Sequence, residues 1–394
     1  MVGKHIQSWL QSLSARVSPA PVSDLNDALV AVPPGVLNSL SEKMGQLPTP
    51  QPYQTTIQDA FTEALQAWQA KPDTTNNSLV VLSRPVEAIA PILKESFQAG
   101  WPNCNVQLFL GGYQRPPDPL TIPDHLRREL DPEDTADKET PSPPVTQTDL
   151  QGEVPTVMVI PSLEQCFLRC IHGWQGIEYL QNLATQDTSR FWVFGCNHWA
   201  WAFLTRVCQV NAYLEQVVPL PELTGEALQA WLSPIFETAV ETPMTDGSTL
   251  QVEIETDAYW TNLVSLSAGI AATAAQMWRH SLRIRAEKLT DEGTLAADAT
   301  AISLLQTKPS LPGLMTLEVM DRYLLHSLLI HGEMTRSHLA LSLGEADRKI
   351  RSRVQVLKRE GIILQQGRRL RVCPAHYPKL YSELGNNNFL IGKA

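Results

Sequence analysis

The sequence predicts an α/β protein with a mostly parallel sheet, helices on both of its faces, and a separate C-terminal module. Three observations predict it. Short apolar runs of strand type alternate with helical patterns from about residue 78 to residue 240, the arrangement that builds parallel strands with helical crossovers. At 394 residues the chain has room for two or three domains and a sizeable core. Charge is also divided unevenly. Residues 316–394 hold 13 Lys and Arg against 7 Asp and Glu, leaving 18 against 34 for the rest of a chain whose net charge is −10. A basic tail on an acidic body suggests a separate partner for each, and excludes a chain-wide nucleic-acid coat.

Residues 1–55 read as helical and are punctuated by proline. TIQDAFTEALQAWQA then places apolar residues at helical spacing from Ile57 to Trp68. SLVVLS predicts a first strand, Val86 to Phe97 a helix, and NVQLFLGG a second strand. Residues 115–153 contain 10 acidic residues, 4 basic residues and 8 prolines, which predicts a solvated, disordered insertion. VPTVMVIPS is a third strand, followed by a predicted helix over LEQCFLRCIHGWQGIEYLQNLA. RFWVFGC is a fourth strand, HWAWAFLTRVCQVNAYL a helix, and EQVVPLP a short fifth strand. LTGEALQAWLSPIFETA predicts a helix with Thr224 as N-cap and Glu226 in its first turn. Residues 257–312 are expected to be a helical bundle.

Three further helices are predicted over LEVMDRYLLHSLLIHG, MTRSHLALSLG and EADRKIRSRVQVLKREG, the second between Thr335 as N-cap and Gly344 as stop. IILQQGRRLRVCP reads as two strands around a turn. In the remaining tail, 377–394, Phe389, Leu390 and Ile391 are expected to dock on the body or on another subunit. The six cysteines show no paired spacing and read as free thiols of a reducing, cytoplasmic compartment. Cys166 and Cys170, four apart on a predicted helix with His172 near, form a weak metal motif, and buried free cysteine is the commoner case. No secretory leader pattern opens the sequence, and LVSLSAGIAATAAQMW is too short and too rich in Ser and Ala to span a bilayer.

The strand order and the residues at the strand ends resemble the core of AAA+ and STAND-type P-loop NTPases over residues 56–285. The resemblance implies a phosphate loop after the first strand. Aligning that motif on SRPVEAIA puts Ser83 and Ala88 at its glycines, Ile89 at its lysine and Ala90 at its hydroxyl, while Pro85 removes a backbone donor. After VMVI, where metal-binding and water-polarising acids are implied, stand Pro161 and Ser162, with Glu164 two residues late and expected to cap a helix or face solvent. Asn197, just beyond RFWVFGC, matches the polar sensor-1 position. The nucleotide-site remnant is therefore Ser83, Arg84, Ala88, Ile89, Glu164 and Asn197, with Arg84 a potential phosphate contact. No catalytic residue, metal or cofactor is expected, although loss of the loop argues more strongly against ATP hydrolysis than against ATP and Mg binding. Domain boundaries follow at 56–256 for the degenerate α/β domain, 257–312 for a lid-like bundle and 316–376 for the module.

Helix, helix, helix and hairpin resemble a winged helix-turn-helix domain over residues 318–373. In that family the third helix enters the major groove and the wing touches the backbone. The resemblance points to Arg348, Lys349, Arg351, Arg353, Arg368, Arg369 and Arg371 as the surface for DNA or a partner. Ile350, Val354 and Leu357 form the core stripe of the third helix, so Arg348, Arg351 and Arg353 are expected to face outward. No Asn or Gln stands on its first turns, so base readout is less supported. The expected function is a non-catalytic, cytoplasmic regulator or adaptor. Its platform would bind a protein or itself, and its winged helix would contact DNA or a protein. A divergent ATPase and an oligomeric scaffold remain the alternatives.

Overall fold

The computed structural model describes residues 29–72, 76–98, 100–101, 103–109, 113–130, 154–241, 249–253, 257–286, 301–390 and 392. In chain order its elements begin with β1 (Leu29–Ala31), α1 (Pro34–Met44), α2 (Gln51–Ala70), β2 (Ser78–Ser83), α3 (Ile89–Gln98) and β3 (Asn105–Leu108). Next come α4 (Ile122–Leu130), β4 (Thr156–Ile160), α5 (Gln175–Gln186), β5 (Arg190–Asn197), α6 (His198–Cys208) and β6 (Val217–Pro219). They are followed by α7 (Gly225–Glu241), β7 (Thr249–Glu253), α8 (Asp257–Ser267), α9 (Ala271–Ser281), β8 (Leu282–Arg285) and β9 (Ala301–Gln306). The last are α10 (Val319–His331), β10 (Glu333–Thr335), α11 (Arg336–Leu343), α12 (Asp347–Arg359), β11 (Ile363–Gln366), β12 (Arg369–Val372) and α13 (Tyr377–Asn386).

The chain divides into two compact units. The smaller takes Met1–Ser41, Phe236–Ile254 and Leu282–Thr307, and the larger takes the remainder. In the smaller unit a four-stranded sheet runs β1-β8-β9-β7, with β7 parallel to β9 and the other pairs antiparallel. This corrects the helical expectation for residues 257–312, and that for residues 1–55, in which Leu29–Ala31 is a strand. Helices end at Ser281, and Leu282–Arg285 and Ala301–Gln306 are strands.

The larger unit is α/β, as the sequence predicts. Its five-stranded sheet is parallel throughout, in the order β3-β4-β5-β2-β6. Every residue of β2 is buried, as are all but the first of β5, because each strand has neighbours on both sides and packed layers on both faces. That environment explains the unbroken apolar runs SLVVLS and FWVFGC. At the edge, β3 alternates between exposed and half-buried residues instead. Asn77, just before β2, donates its side-chain amide to the carbonyls of Ala184, Asp187 and Arg190 at 2.9–3.1 Å, holding α5 and the entry to β5. Within β5, Gly195 is required by close approach: a Cβ there would lie 2.3 Å from the Pro161 carbonyl.

Two further expectations are corrected in this unit. The first part of the presumed disordered insertion is folded: α4 buries Ile122, Leu126 and Leu130, and Arg115 is itself buried. Residues 131–153 lie outside the described residues. The helix expected over residues 163–184 begins only at Gln175. Before it come a short 3₁₀ turn, Leu163–Gln165, and a reversal in which His172 takes φ 58°. Cys166 and Cys170 therefore do not share a helix.

The C-terminal elements also belong to the larger unit. Helices α10, α11 and α12 precede the β11–β12 hairpin, to which β10 adds a third antiparallel strand in the order β10-β12-β11. Thr335 caps α11 by accepting from His338 N (3.2 Å), and Gly344 ends it in the left-handed region at φ 63°. One hydrophobic core runs from Val80, Ile160 and Phe194 of the sheet to Leu328, Leu339 and Leu357 of these helices. The tail docks back on its own chain. Phe389 packs against Tyr323 and His326, and the Leu390 carbonyl accepts from His326 Nε2 at 2.8 Å. Ile391 is outside the described residues.

Candidate functional site

Parallel sheets place their functional loops at the carboxyl ends of the strands, where neighbouring connections diverge. Here β2 and β5 are adjacent, and Ser83 is the register partner of Asn197. The chain leaves β2 toward the far edge of the sheet and leaves β5 toward β6, so a crevice opens beyond these two residues.

The turn after β2 is braced by its own side chains, and its residues from Pro85 onward line the cavity described below. Ser83 is buried, and its hydroxyl turns back to the carbonyls of Arg84 (3.3 Å) and Glu87 (3.5 Å). Arg84 is paired at 2.9 Å with Glu222. Ala88 is exposed, while Ile89 opens α3 with its side chain in the core. The centre of the turn is Glu87, which the sequence did not single out. Its Oε1 accepts from the Tyr53 hydroxyl (2.5 Å) and from the backbone N–H of Ala271 (3.1 Å). A carboxylate thus meets the first N–H of α9, where the helix dipole favours negative charge. Burial raises the Glu87 pKa above the usual carboxylate range, opposed by the hydrogen bonds from Tyr53 and the backbone. Burial and the neighbouring carboxylate both raise that of Tyr53.

Beyond β4, Glu164 neither faces solvent nor caps a helix. It is buried, accepts from Ser162 Oγ at Oε2 (2.7 Å), and accepts from the backbone N–H of Asn197 at Oε1. Burial raises its pKa as well. Asn197 uses its whole side-chain amide. Oδ1 caps α6 by accepting from Trp199 N and Ala200 N (both 2.9 Å), and Nδ2 donates to the Ile330 carbonyl at 2.9 Å.

That last bond is one of several ties between the sheet and the C-terminal elements. The Arg115 guanidinium donates to the carbonyls of Glu164 and Phe167 (2.6 Å for the latter) and lies 3.1 Å from His331 Nδ1. Its burial pulls its pKa down to about 10. Arg169 donates its backbone N–H to His331 Nε2 (3.2 Å), and its guanidinium lies 3.1 Å from His326 Nδ1. Burial, with these cations adding to it, holds His331 well below the usual imidazole range and His326 down to about 4. Desolvation therefore favours the neutral form of both rings. The carbonyl of Pro116 lies 2.8 Å from His338 Nε2.

Between these groups lies a cavity of about 400 Å³. Val86, Ser162 and Glu164 line it from the sheet side, and His331, Arg369 and Arg371 from the C-terminal side. Among the described residues, no group of His, Cys, Asp and Glu could hold a metal ion, and no helix is long and apolar enough to cross a membrane.

The cationic residues of the module part company. Arg353 does not face a partner: it forks onto Asp321 (2.8 and 2.5 Å) and reaches Glu318 at 2.9 Å, which corrects the expectation from helical phase. Lys349 pairs with Glu345 (2.6 Å), and Arg369 pairs with Glu333 on β10. Arg371 is exposed at the mouth of the cavity. Elsewhere on α12, Asp347 meets Arg336 (2.7 Å), Ser352 bonds back to the Lys349 carbonyl (2.9 Å), Lys358 reaches Gln365 (2.5 Å) and Arg359 pairs with Glu360 (3.6 Å). Three polar side chains of the helix remain without such a partner among the described residues: Arg348, Arg351 and Gln355. At spacings of three and four they form one exposed stripe, with Arg368 outward on the hairpin turn.

Sequence reasoning missed Glu87, Arg115 and His331. The signal for Glu87 was a carboxylate inside a turn after a buried strand. Nothing local marks Arg115, whose partners are carbonyls about fifty residues away.

No family model matches the chain, and no curated protein matches it either. Among solved structures it is similar to Cdc6p from Pyrobaculum aerophilum, at 12% identity, with 92% of this chain and 100% of that one covered and a TM-score of 0.33. The ORC2 protein of Aeropyrum pernix, in ADPNP and ADP complexes, gives 11% identity, coverage of 83% and 92%, and a TM-score of 0.33. Drosophila ORC bound to DNA gives 12% identity, coverage of 95% and 99%, and a TM-score of 0.36. A likeness at this level assigns neither activity nor partner.

Proposed function

We propose that the chain is a non-catalytic regulator or adaptor, a P-loop-derived platform of the AAA+ or STAND kind that carries a winged helix. In this reading α12 is the recognition helix, the β11–β12 hairpin is the wing, and the ligand is duplex DNA held through its phosphates. The chemistry of nucleotide handling is replaced by internal contacts. Ile89 stands where the resemblance asks for a lysine, and the Glu87 carboxyl takes the Tyr53 hydroxyl and the first N–H of α9 for itself.

The observation that carries the reading is the division of polar groups on the module. Arg353, Lys349 and Arg369 are satisfied within the chain, whereas Arg348, Arg351 and Arg368 stay outward and unpaired among the described residues. Unpaired cations on an exposed helix and the adjoining turn suit a polyanion whose binding releases counterions. Titrating a labelled duplex with the full-length protein at several salt concentrations tests this. Binding that weakens linearly on a log–log plot supports it, and no binding at low salt refutes it.

A further inference from the structure

The stripe Arg348, Arg351 and Gln355 is not uniform. Arg351 and Gln355 line a groove of about 440 Å³ enclosed by α11, α12 and the hairpin, and Arg368 stands on the same groove from the hairpin turn. Arg348 lies outside it, one turn nearer the start of α12. Two side chains able to make paired hydrogen bonds to a flat edge are thus presented side by side, with cations on either side of them.

We infer that Arg351 and Gln355 read base edges in the major groove, a guanine and an adenine respectively, one or two base pairs apart. The inference rests on the DNA-contact reading above and goes beyond it by assigning sequence readout. A guanidinium donates two hydrogen bonds to guanine O6 and N7. A glutamine amide accepts from adenine N6 and donates to its N7. Neighbours four apart on a helix hold their Cβ atoms about 5–6 Å apart, which spans one to two steps of about 3.4 Å along a strand. Arg348 and Arg368, at the two ends of this surface, then serve phosphates and set the register. Gln355 is the only amide side chain of α12, and it has no intramolecular partner among the described residues. It stands beyond the first turns, where sequence reasoning sought an adenine reader.

The test is selection by the full-length protein from a library of short duplexes with a randomised centre, followed by titration of the enriched duplex and a scrambled one. The expected motif contains G and A one or two steps apart. Changing Gln355→Ala should lower the preference at the adenine about tenfold. A Gln355→Glu variant should redirect that position toward cytosine, whose N4 amino group a carboxylate accepts from. Such redirection cannot come from a merely structural role. Binding without an enriched motif, or a motif unchanged by Gln355→Glu, overturns the inference and leaves the phosphate-contact reading standing. If the wild-type protein retains no duplex at low salt, both fall together.

Discussion

The Tyr53 hydroxyl donates a 2.5 Å hydrogen bond to the carboxylate of Glu87, joining α2 to the turn that follows the central strand β2. The same oxygen accepts from Ala271 N, so one buried carboxylate holds a helix, a turn and the start of a second helix together. Burial raises the pKa of Glu87, so the folded protein binds its proton more tightly than the unfolded chain does. Wild-type stability is therefore eroded as pH rises from the ordinary glutamate value of about 4.3 through the raised one.

A Glu87→Gln variant keeps the acceptor oxygen and has no charge to bury. Its stability relative to wild type should improve as pH rises above the ordinary glutamate value and decline again on return toward it. Urea denaturation across that range measures the difference. A constant deficit at every pH contradicts the assignment. By contrast, Glu87→Ala leaves two buried donors unpaired and should cost about 1–3 kcal/mol throughout.

Arg115 should behave as a structural tie. Replacing it with Ala strands the carbonyls of Glu164 and Phe167 and should lower stability by about 3 kcal/mol. Arg115→Lys should recover only part of this, because an ammonium lacks the planar fork that serves both carbonyls. Urea midpoints of the two variants check it, and equal midpoints for wild type and Arg115→Ala would show that the tie contributes nothing.

Although the turn lines a cavity, nucleotide should gain little there, because Ile89 stands at the lysine position and Arg84 is paired with Glu222. Any ligand that binds only the folded state at one hundred times its Kd adds about 2.7 kcal/mol. Millimolar Mg-ATP is therefore expected to leave the melting temperature unchanged and to release no phosphate. A clear upward shift would revive the ATPase alternative.

Arg353 and Arg348 should separate stability from binding. Asp321 is fully buried beneath the Arg353 fork. Arg353→Ala leaves that carboxylate without its ionic partner and should cost about 3–5 kcal/mol of stability. Arg348→Ala should leave thermal stability nearly unchanged and weaken duplex binding. Thermal melts and duplex titrations on the same two preparations show whether the effects divide in this way.

The sheet was legible because β2 and β5 are buried on both faces and so read as unbroken apolar runs. The C-terminal helices were legible because Thr335 and Gly344 mark their own boundaries. The sheet of the smaller unit was not. Its strands have three to six residues and pair across long separations, as when Leu29 meets Arg285, so no local periodicity announces them. The segment from Cys166 to Trp174 carries apolar residues at helical spacing. However, a Cβ on Gly173 would lie 2.1 Å from the Leu168 carbonyl, and that approach belongs to a reversal rather than a helix. Among the site residues, Asn197 was singled out from its place at a strand end. Helical phase separated Arg353 from the core stripe but gave no hint of Asp321, which lies 32 residues earlier in the chain.

The measurement that bears most directly on the account is the salt dependence of duplex binding for wild type and for the Arg348→Ala, Arg368→Ala double variant. Each phosphate contact contributes about −0.9 to the slope of log affinity against log salt. The account predicts weaker binding to every duplex and a slope shallower by about two. A double variant with wild-type affinity and an unchanged slope would contradict it.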